Sequence, residues 1–372
     1  MTETIIQLQT PIERSPRVLQ VEGLFDIPPT LQSGLQWRVK LPLDERTWNI
    51  GLIVGPSGCG KSTIARKLWP AAVDKLFEWP IERSVLDAFP AGMAINDIVA
   101  LLSSVGFSSP PAWLRPFHAL STGQQFRVHL AKLLAEAKEL AVMDEFTSVV
   151  DRTVARIGSA ALAKTVRARG QKFIAVTCHE DVEPWLNPDW IYRPDSNSFT
   201  WRWLQRRPAV TLKVCRVGRE AWSLFKQHHY LNTALAPGAT CFAAFWEDRL
   251  VAFSAWLTGM SKQGGRREHR TVTLPDYQGI GIGHALSTYI ASLWKALGHR
   301  ATSTTTHPAF VAARLRGAHW RMIRPPSLGN SRDRLLRHAT TRLTAGFEYI
   351  GPPLDSPTAR RLIQKLEKGA TI

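Results

Sequence analysis

Gly55-Pro56-Ser57-Gly58-Cys59-Gly60-Lys61-Ser62 follows the apolar run Asn49 to Val54 and precedes a helix-compatible stretch, Lys61 to Leu68. Glycines at 55, 58 and 60 let the backbone wrap an anion with its N–H groups turned inward, and a helix starting at Lys61 adds the positive end of its dipole. Strand, glycine loop and helix in that order make a triphosphate cradle. Lys61 reaches the β and γ phosphates, the Ser62 hydroxyl ligates Mg²⁺, and Thr63 closes the loop's binding set. Around this unit the Val- and Ile-rich runs Arg17 to Val21, Leu35 to Leu41, Leu140 to Met143 and Phe173 to Thr177 alternate with a helical stretch, Gly123 to Ala137. That alternation predicts an α/β domain with a partly parallel sheet.

A second glycine-rich loop, Gln278-Gly279-Ile280-Gly281-Ile282-Gly283, lies in the C-terminal half. The run His269 to Leu274 feeds it through Pro275-Asp276-Tyr277, and a helix with apolar periodicity (Ala285, Leu286, Ile290, Leu293) follows it. Strand, loop and helix N-terminus again suit a pyrophosphate. A dinucleotide fold wants an acidic residue at the end of the next strand. Here that strand ends in Thr304-Thr305-Thr306-His307, which excludes that reading.

Composition divides the chain in two. Its 372 residues suffice for two domains with separate cores. Residues 1–200 hold 21 Lys and Arg against 21 Asp and Glu, and residues 201–372 hold 26 against 9, so the net charge of +17 falls wholly in the second half. Such a domain attracts polyanions, which points to nucleic acid or an acidic membrane surface, the alternatives being a basic but merely soluble face and a site for a phosphorylated cofactor. No run approaches the roughly 18 apolar residues of a membrane span, and no signal segment opens the chain, so the expectation is a cytoplasmic protein with no membrane partner. Cys59, Cys178, Cys215 and Cys241 form no CxxC pair, which argues against a zinc site or disulfide framework.

Arg193 to Ser198 and Arg206-Arg207-Pro208 mark a junction, giving domains at 1–200 and 210–372 with the connector at 201–209. Trp185, Trp190, Trp201 and Trp203 cluster there and are expected to pack the domains together. Beyond the junction come strand-like runs at Val210 to Arg216, Ala239 to Trp246 and Leu250 to Trp256. They continue at His269 to Leu274, Ala301 to Thr305, Trp320 to Ile323 and Thr340 to Tyr349, with a helix at about 281–297.

The first half carries more than the phosphate loop. Leu120-Ser121-Thr122-Gly123-Gln124 opens a helix, and the strand Leu140 to Met143 delivers Asp144 and Glu145. One carboxylate suits Mg²⁺ and the other suits polarising the attacking water. Asp151 follows, and the strand Phe173 to Thr177 ends at Cys178-His179, at the sheet edge where the γ phosphate lies. This ordered set resembles the nucleotide-binding domain of the ABC ATPases over about residues 15 to 200: Walker A, signature, Walker B, D-loop and switch histidine.

The resemblance implies ATP as ligand, Glu145 and His179 as catalytic residues, and a homodimer with two composite sites. In each of these Ser121, Gly123, Gln124 and Asp151 of one protomer close on the phosphate loop of the other. Thr122 departs from the usual glycine. The Q-loop glutamine is missing, and Asp87 is the candidate to replace it at Mg²⁺ beside Ser62 and Asp144. Phe25 is a candidate for stacking on adenine. The segment between Asp87 and Leu120 is too short for the long coiled coil of chromosome-maintenance ATPases, and a transporter subunit without a membrane span would need a separate permease that a fused basic domain suits poorly, so a soluble, non-transport ABC ATPase is expected.

Gln278, Gly281 and Gly283 match motif A of the GNAT acyltransferases, and the strand and helix order from about 210 to 350 is similar too. That resemblance implies an acyl-CoA ligand, acetyl-CoA first, on Gln278, Gly279, Ile280, Gly281, Ile282 and Gly283. It implies a strand glutamate as base, for which Glu268 is the candidate. The family's acid tyrosine is absent, with Arg314 or a neighbour in that stretch. His228-His229-Tyr230 could join the catalytic centre, grip the acceptor or be structural. Arg324, Arg332, Arg334 and Arg337, around Leu335-Leu336, suit either a phosphodiester backbone or a solvated face.

The expected architecture is therefore α/β: a P-loop ABC-type ATPase domain followed by an α+β GNAT-like acyltransferase domain. The expected function is ATP-coupled N-acylation of DNA or RNA. The alternatives are an ATP-gated nucleic-acid-binding module without transfer chemistry, or acylation of a protein or small amine.

Overall fold

The computed structural model describes residues 3–73, 77–229, 233–259, 265–328 and 343–364. Tyr230, Arg332, Arg334, Arg337 and Leu335-Leu336 lie outside the described residues. The chain divides into two compact units, Met1–Leu76 with Ala137–Ser148 and Val166–Arg206, and Phe77–Glu136 with Val149–Thr165 and Arg207–Ile372.

The first unit opens with β1 (Thr4–Pro11), α1 (Pro16–Phe25) and β2 (Gln32–Val39), β1 and β2 pairing antiparallel. Arg17 to Val21, expected as a strand, is helical. The Ser15 hydroxyl accepts from the Val18 N–H at 3.4 Å and Pro16 sits at the first helical turn, so the start signal overrides the β-propensity of two valines. A five-stranded sheet follows, made of β3 (Ile50–Val54), β4 (Leu140–Met143), β5 (Lys172–Thr177), β6 (Trp190–Arg193) and β7 (Ser198–Trp201). Its order is β4-β5-β3-β6-β7, parallel except for β7. Every residue of β3 is buried, as a central parallel strand covered on both faces requires.

Helix α2 (Lys61–Leu68) leaves β3 through the glycine loop. The core joins Ile53, Ile64, Val142, Ile174, Val176 and Trp190. Trp190 meets Trp48 edge-on at 5.5 Å within this core, while Trp203 is 80% exposed. The buried member of the tryptophan cluster thus serves the first unit itself.

The second unit contains α3 (Ile95–Ser104), α4 (Pro110–Trp113), α5 (Thr122–Glu136) and the start of α6 (Arg152–Arg169). Helix α7 (Glu183–Leu186) belongs to the first unit. The second unit's sheet comprises β8 (Lys213–Val217), β9 (Thr240–Trp246), β10 (Arg249–Thr258), β11 (Arg266–Thr273), β12 (Ala301–Thr305), β13 (Trp320–Ser327) and β14 (Thr344–Tyr349). Helix α8 (Ile282–Ala296) connects β11 to β12, α9 (Pro308–Arg316) precedes β13, and α10 (Ser356–Gln364) ends the described chain.

Strand order is β13-β14-β12-β11-β10-β9-β8. The pair β11–β12 is parallel and registers only at Arg266↔Ala301 and Arg267↔Thr302, while its neighbours pair antiparallel. Against β10, the register of β11 slips at His269, between Ala255↔Arg270 and Trp256↔Glu268. The second glycine loop leaves β11 beyond the point where the parallel pairing stops. Among the described residues no helix is long and apolar enough to cross a membrane.

Candidate functional site

In the first unit the phosphate loop forms where β3 ends. Gly58 and Gly60 take φ of +83° and +95°, which only glycine adopts at little cost. Gly60 also admits the Trp37 ring, because a Cβ there would lie 2.3 Å from it. Lys61 is buried and its Nζ donates to the carbonyls of Gly55 at 2.9 Å and Pro56 at 2.7 Å, holding its ammonium inside the loop.

Ser62 Oγ donates to Asp144 Oδ1 at 2.8 Å, so the hydroxyl of α2 and the carboxylate at the end of β4 adjoin. Two hard oxygen donors side by side fit Mg²⁺, which takes few protein ligands and completes its shell with phosphate and water. Arg66 pairs with the other oxygen of Asp144 at 3.0 Å, although it is 68% exposed. Among the described residues no group of three or more His, Cys, Asp or Glu forms a separate metal cluster.

Glu145 is exposed and has φ +53°, a left-handed backbone that an L-residue adopts only where its surroundings enforce it. Its N–H donates to Asp144 Oδ1 at 3.1 Å and its Oε2 accepts from Ser148 Oγ at 2.7 Å. His179 follows β5, half-buried, with its N–H on Thr177 Oγ1 at 3.1 Å. The structure thus links Ser62, Asp144 and Glu145 by hydrogen bonds, while the neighbouring Lys61 is held separately by the loop carbonyls.

Sequence reasoning missed Trp37. From β2 its Nε1 donates to the Cys59 carbonyl at 3.0 Å, and with Gln36, Arg38, Tyr192, Pro194 and Asn197 it lines an open recess of about 360 Å³. Burial, reinforced by Cys59, pushes the Tyr192 phenol up to about 12. Phe25, the expected adenine partner, ends α1 with 72% of its surface exposed. An aromatic on β2, the strand preceding β3 and its loop, was the signal available for Trp37.

Asp87, Ser121, Gly123, Gln124 and Asp151 belong to the second unit. Asp87 lies in a short 3₁₀ turn and accepts from Ser84 Oγ at 3.2 Å. Gln124 Oε1 accepts from the Ser121 N–H at 3.1 Å, bracing the start of α5. Asp151 accepts from the N–H groups of Thr153 at 2.7 Å and Val154 at 3.1 Å, capping α6.

The second glycine loop has Gly279 at φ +103° and Gly281 at φ +94°, the latter with open space around it. A Cβ on Gly283 would meet Thr273 Oγ1 at 2.7 Å, so this glycine lets α8 close onto β11. Gln278 was expected to grip a pyrophosphate. Its Oε1 instead accepts from the Ser108 N–H at 2.9 Å and its Nε2 donates to the Thr273 carbonyl at 2.9 Å, so both ends of the amide are engaged.

Glu268 was the candidate base, and the structure gives it another role. Its side chain is 8% exposed and pairs with the fully buried Arg314 at 2.7 Å, and it accepts from Thr271 Oγ1 at 2.5 Å and from Ser303 Oγ. Burial alone would raise this carboxyl. The Arg314 guanidinium and the two hydroxyls outweigh it and hold the pKa below the usual carboxylate range. A carboxylate so stabilised and so enclosed is a poor proton acceptor.

Arg314 also donates to Ser303 Oγ at 2.6 Å and Ser287 Oγ at 2.9 Å, and it lies 4.2 Å from the Trp320 ring centroid. The residue where a tyrosine acid was sought is therefore the centre of a buried polar knot joining β11, β12, α8 and α9. His269, at the β11 irregularity, has Nε2 on the Ala236 N–H at 3.3 Å. Burial and then Arg270 and Arg267 drive its pKa down to about 4. His228 is lowered by burial, opposed by Asp276.

No family model matches this chain. It is similar to the ABC transporter I family member 10 of Arabidopsis thaliana, 29% identical over 128 residues, covering 27% of this chain and 46% of that protein. The chain thus spans less than half the length of this curated relative. Among solved structures it is similar to cbiO1 of Clostridium perfringens, part of the ABC transporter complex cbiONQ, at 18% identity and TM-score 0.33, covering 43% of this chain and 76% of that one. It is also similar to a dimeric bacterial ABC transporter cassette, at 15% identity and TM-score 0.33, covering 40% of this chain and 82% of that one. The likeness to the curated relative is confined to those 128 residues.

Proposed function

We propose that this chain is an ATP-hydrolysing ABC-type ATPase, working as an ATP-dependent homodimer, whose cycle governs an acyl-CoA-dependent N-acyltransferase-like domain at 210–372 acting on nucleic acid. The observation that carries the ATPase half is the Ser62–Asp144 contact at 2.8 Å beside a buried Lys61. Lys61 leaves its two carbonyl partners to neutralise the β and γ phosphates. Ser62 and Asp144 would hold Mg²⁺, which would supply charge neutralisation at the phosphates. Glu145, aimed by its left-handed backbone, orients and polarises the attacking water, and His179 contacts the γ phosphate.

Support for an acyltransferase-like second domain is the strand–loop–helix–strand unit β11–α8–β12, with its single parallel pairing and Gly281 open at the N-terminus of α8. Support for nucleic acid is the charge of 26 basic against 9 acidic residues over 201–372. Arg267, Arg321, Arg360 and Arg361 are exposed.

A second reading, an ATP-gated nucleic-acid-binding module without transfer, is favoured by one specific observation: Glu268 is consumed by Arg314. Incubating the full chain with labelled acetyl-CoA and a mixture of DNA, RNA and protein, with and without ATP, separates the two. Label on nucleic acid supports transfer. Label on protein alone moves the acceptor to protein, and no label with salt-sensitive DNA or RNA binding leaves the binding module.

A further inference from the structure

Within the second unit the signature helix and the second glycine loop are built against each other. Arg127, on α5 one turn beyond Gly123, is 1% exposed and donates to the Asp276 carbonyl at 2.9 Å. A Cβ on Gly123 itself would lie 3.7 Å from Asp276 Oδ1. Behind α3, a Cβ on Gly106 would lie 2.7 Å from the Gln278 carbonyl, and one on Gly279 would lie 2.8 Å from the Gly106 Cα. Both glycines have positive φ, +90° and +103°, so two backbones touch with no side chain between them. Ser108 then supplies its N–H to Gln278 Oε1 and its carbonyl to His307 Nε2, at 2.9 and 3.1 Å.

We propose that Arg127, Gly106, Ser108 and Gln278 form a coupling joint that makes the second glycine loop move with the signature segment, so that the loop reports nucleotide state. Close-packed backbone contacts transmit displacement because no flexible side chain absorbs it. Gln278 is in this account a positioning residue: its amide ties the loop to the 103–108 turn and to the end of β11, leaving Gly281, the loop glycine with open space around it, to face a ligand. When ATP draws Ser121 to Gln124 onto a γ phosphate, the displaced α5 carries Asp276 and hence the loop. By linkage, a ligand on the loop alters ATP affinity by the same factor. The inference rests on the ATP-dependent dimer proposed above and is independent of acyl transfer.

Hydrogen–deuterium exchange of the full-length Glu145→Gln variant, titrated with Mg-ATP, tests it. Peptides over 121–124 are expected to become protected, and peptides over 276–283 to change exchange rate by about fivefold or more, at the same ATP midpoint. Adding Gln278→Leu is expected to abolish the loop response and keep the signature response. Arg127→Lys, which retains a donor to the Asp276 carbonyl, is expected to keep both, whereas Arg127→Met, which has none, weakens the second. Protection at 121–124 with an unchanged loop overturns the joint alone. No response at either segment overturns the ATP-dependent dimer and the joint with it.

Discussion

Replacing Arg314 with Met removes the guanidinium from a site with no solvent and leaves the Glu268 carboxylate with only the Thr271 and Ser303 hydroxyls. Breaking a buried pair from one side costs about 3–5 kcal/mol, because an uncompensated charge stays in a low-dielectric interior. For a unit of this size that is roughly 6–20 °C in melting temperature, at about 2–4 °C per kcal/mol. Met fills much of the space against Trp320 and Phe347, so the loss is electrostatic more than steric. The double variant Glu268→Leu/Arg314→Met is accordingly expected to recover most of the stability.

The pH dependence has a definite sign. In the native chain the Glu268 pKa lies below its unfolded value, so its contribution is full above the ordinary carboxylate range and is lost as pH falls through the depressed folded value. Without Arg314 burial raises that pKa, acid relieves the penalty, and the gap between the two proteins narrows on acidification. Native-state hydrogen exchange of amides in β11 and β12 reads this locally, which a chain of two units requires. A loss below about 1 kcal/mol, independent of pH, would mean a solvated carboxylate, and Glu268 would return as a candidate base.

Three further outcomes are expected. Trp37→Ala lowers ATP affinity by about 5- to 150-fold if its ring carries about 1–3 kcal/mol of base stacking, while inorganic pyrophosphate affinity is unchanged by calorimetry; loss of both means the ring only props the loop. Gly106→Ala, forced into φ +90° against the Gln278 carbonyl, destabilises the second unit by at least about 1–3 kcal/mol in urea titration, and a neutral effect contradicts the close approach. Duplex DNA binding weakens by about two orders of magnitude between 50 and 200 mM salt if four arginines meet phosphates, and a flat salt response removes the polyanion argument.

The phosphate loop was legible because its chemistry is local: glycines, lysine and serine are contiguous, and the strand and helix around them carry their own apolar patterns. The strands of the second unit were legible for the same reason, to within a few residues. What escaped the sequence was long-range or competed locally. Trp37 meets Cys59 across 22 residues, Arg314 meets Glu268 across 46, and Ser108 meets Gln278 across 170. No periodicity encodes such pairings. Helix α1 departs from the strand expected of Val18 and Val21 because Ser15-Pro16, a capping serine followed by proline, is the stronger local signal. Gln278 and Glu268 were right in type for the chemistry sought, but each side chain's hydrogen bonds are taken by partners that only the fold brings near.

The central claim is that this chain closes on ATP as a pair. Light scattering coupled to size exclusion on the full-length Glu145→Gln variant tests it most directly. A dimer in Mg-ATP that reverts to monomer in ADP, and that Lys61→Ala abolishes, is the predicted result. A species whose mass does not change with nucleotide, in the presence of measured ATP binding, contradicts it.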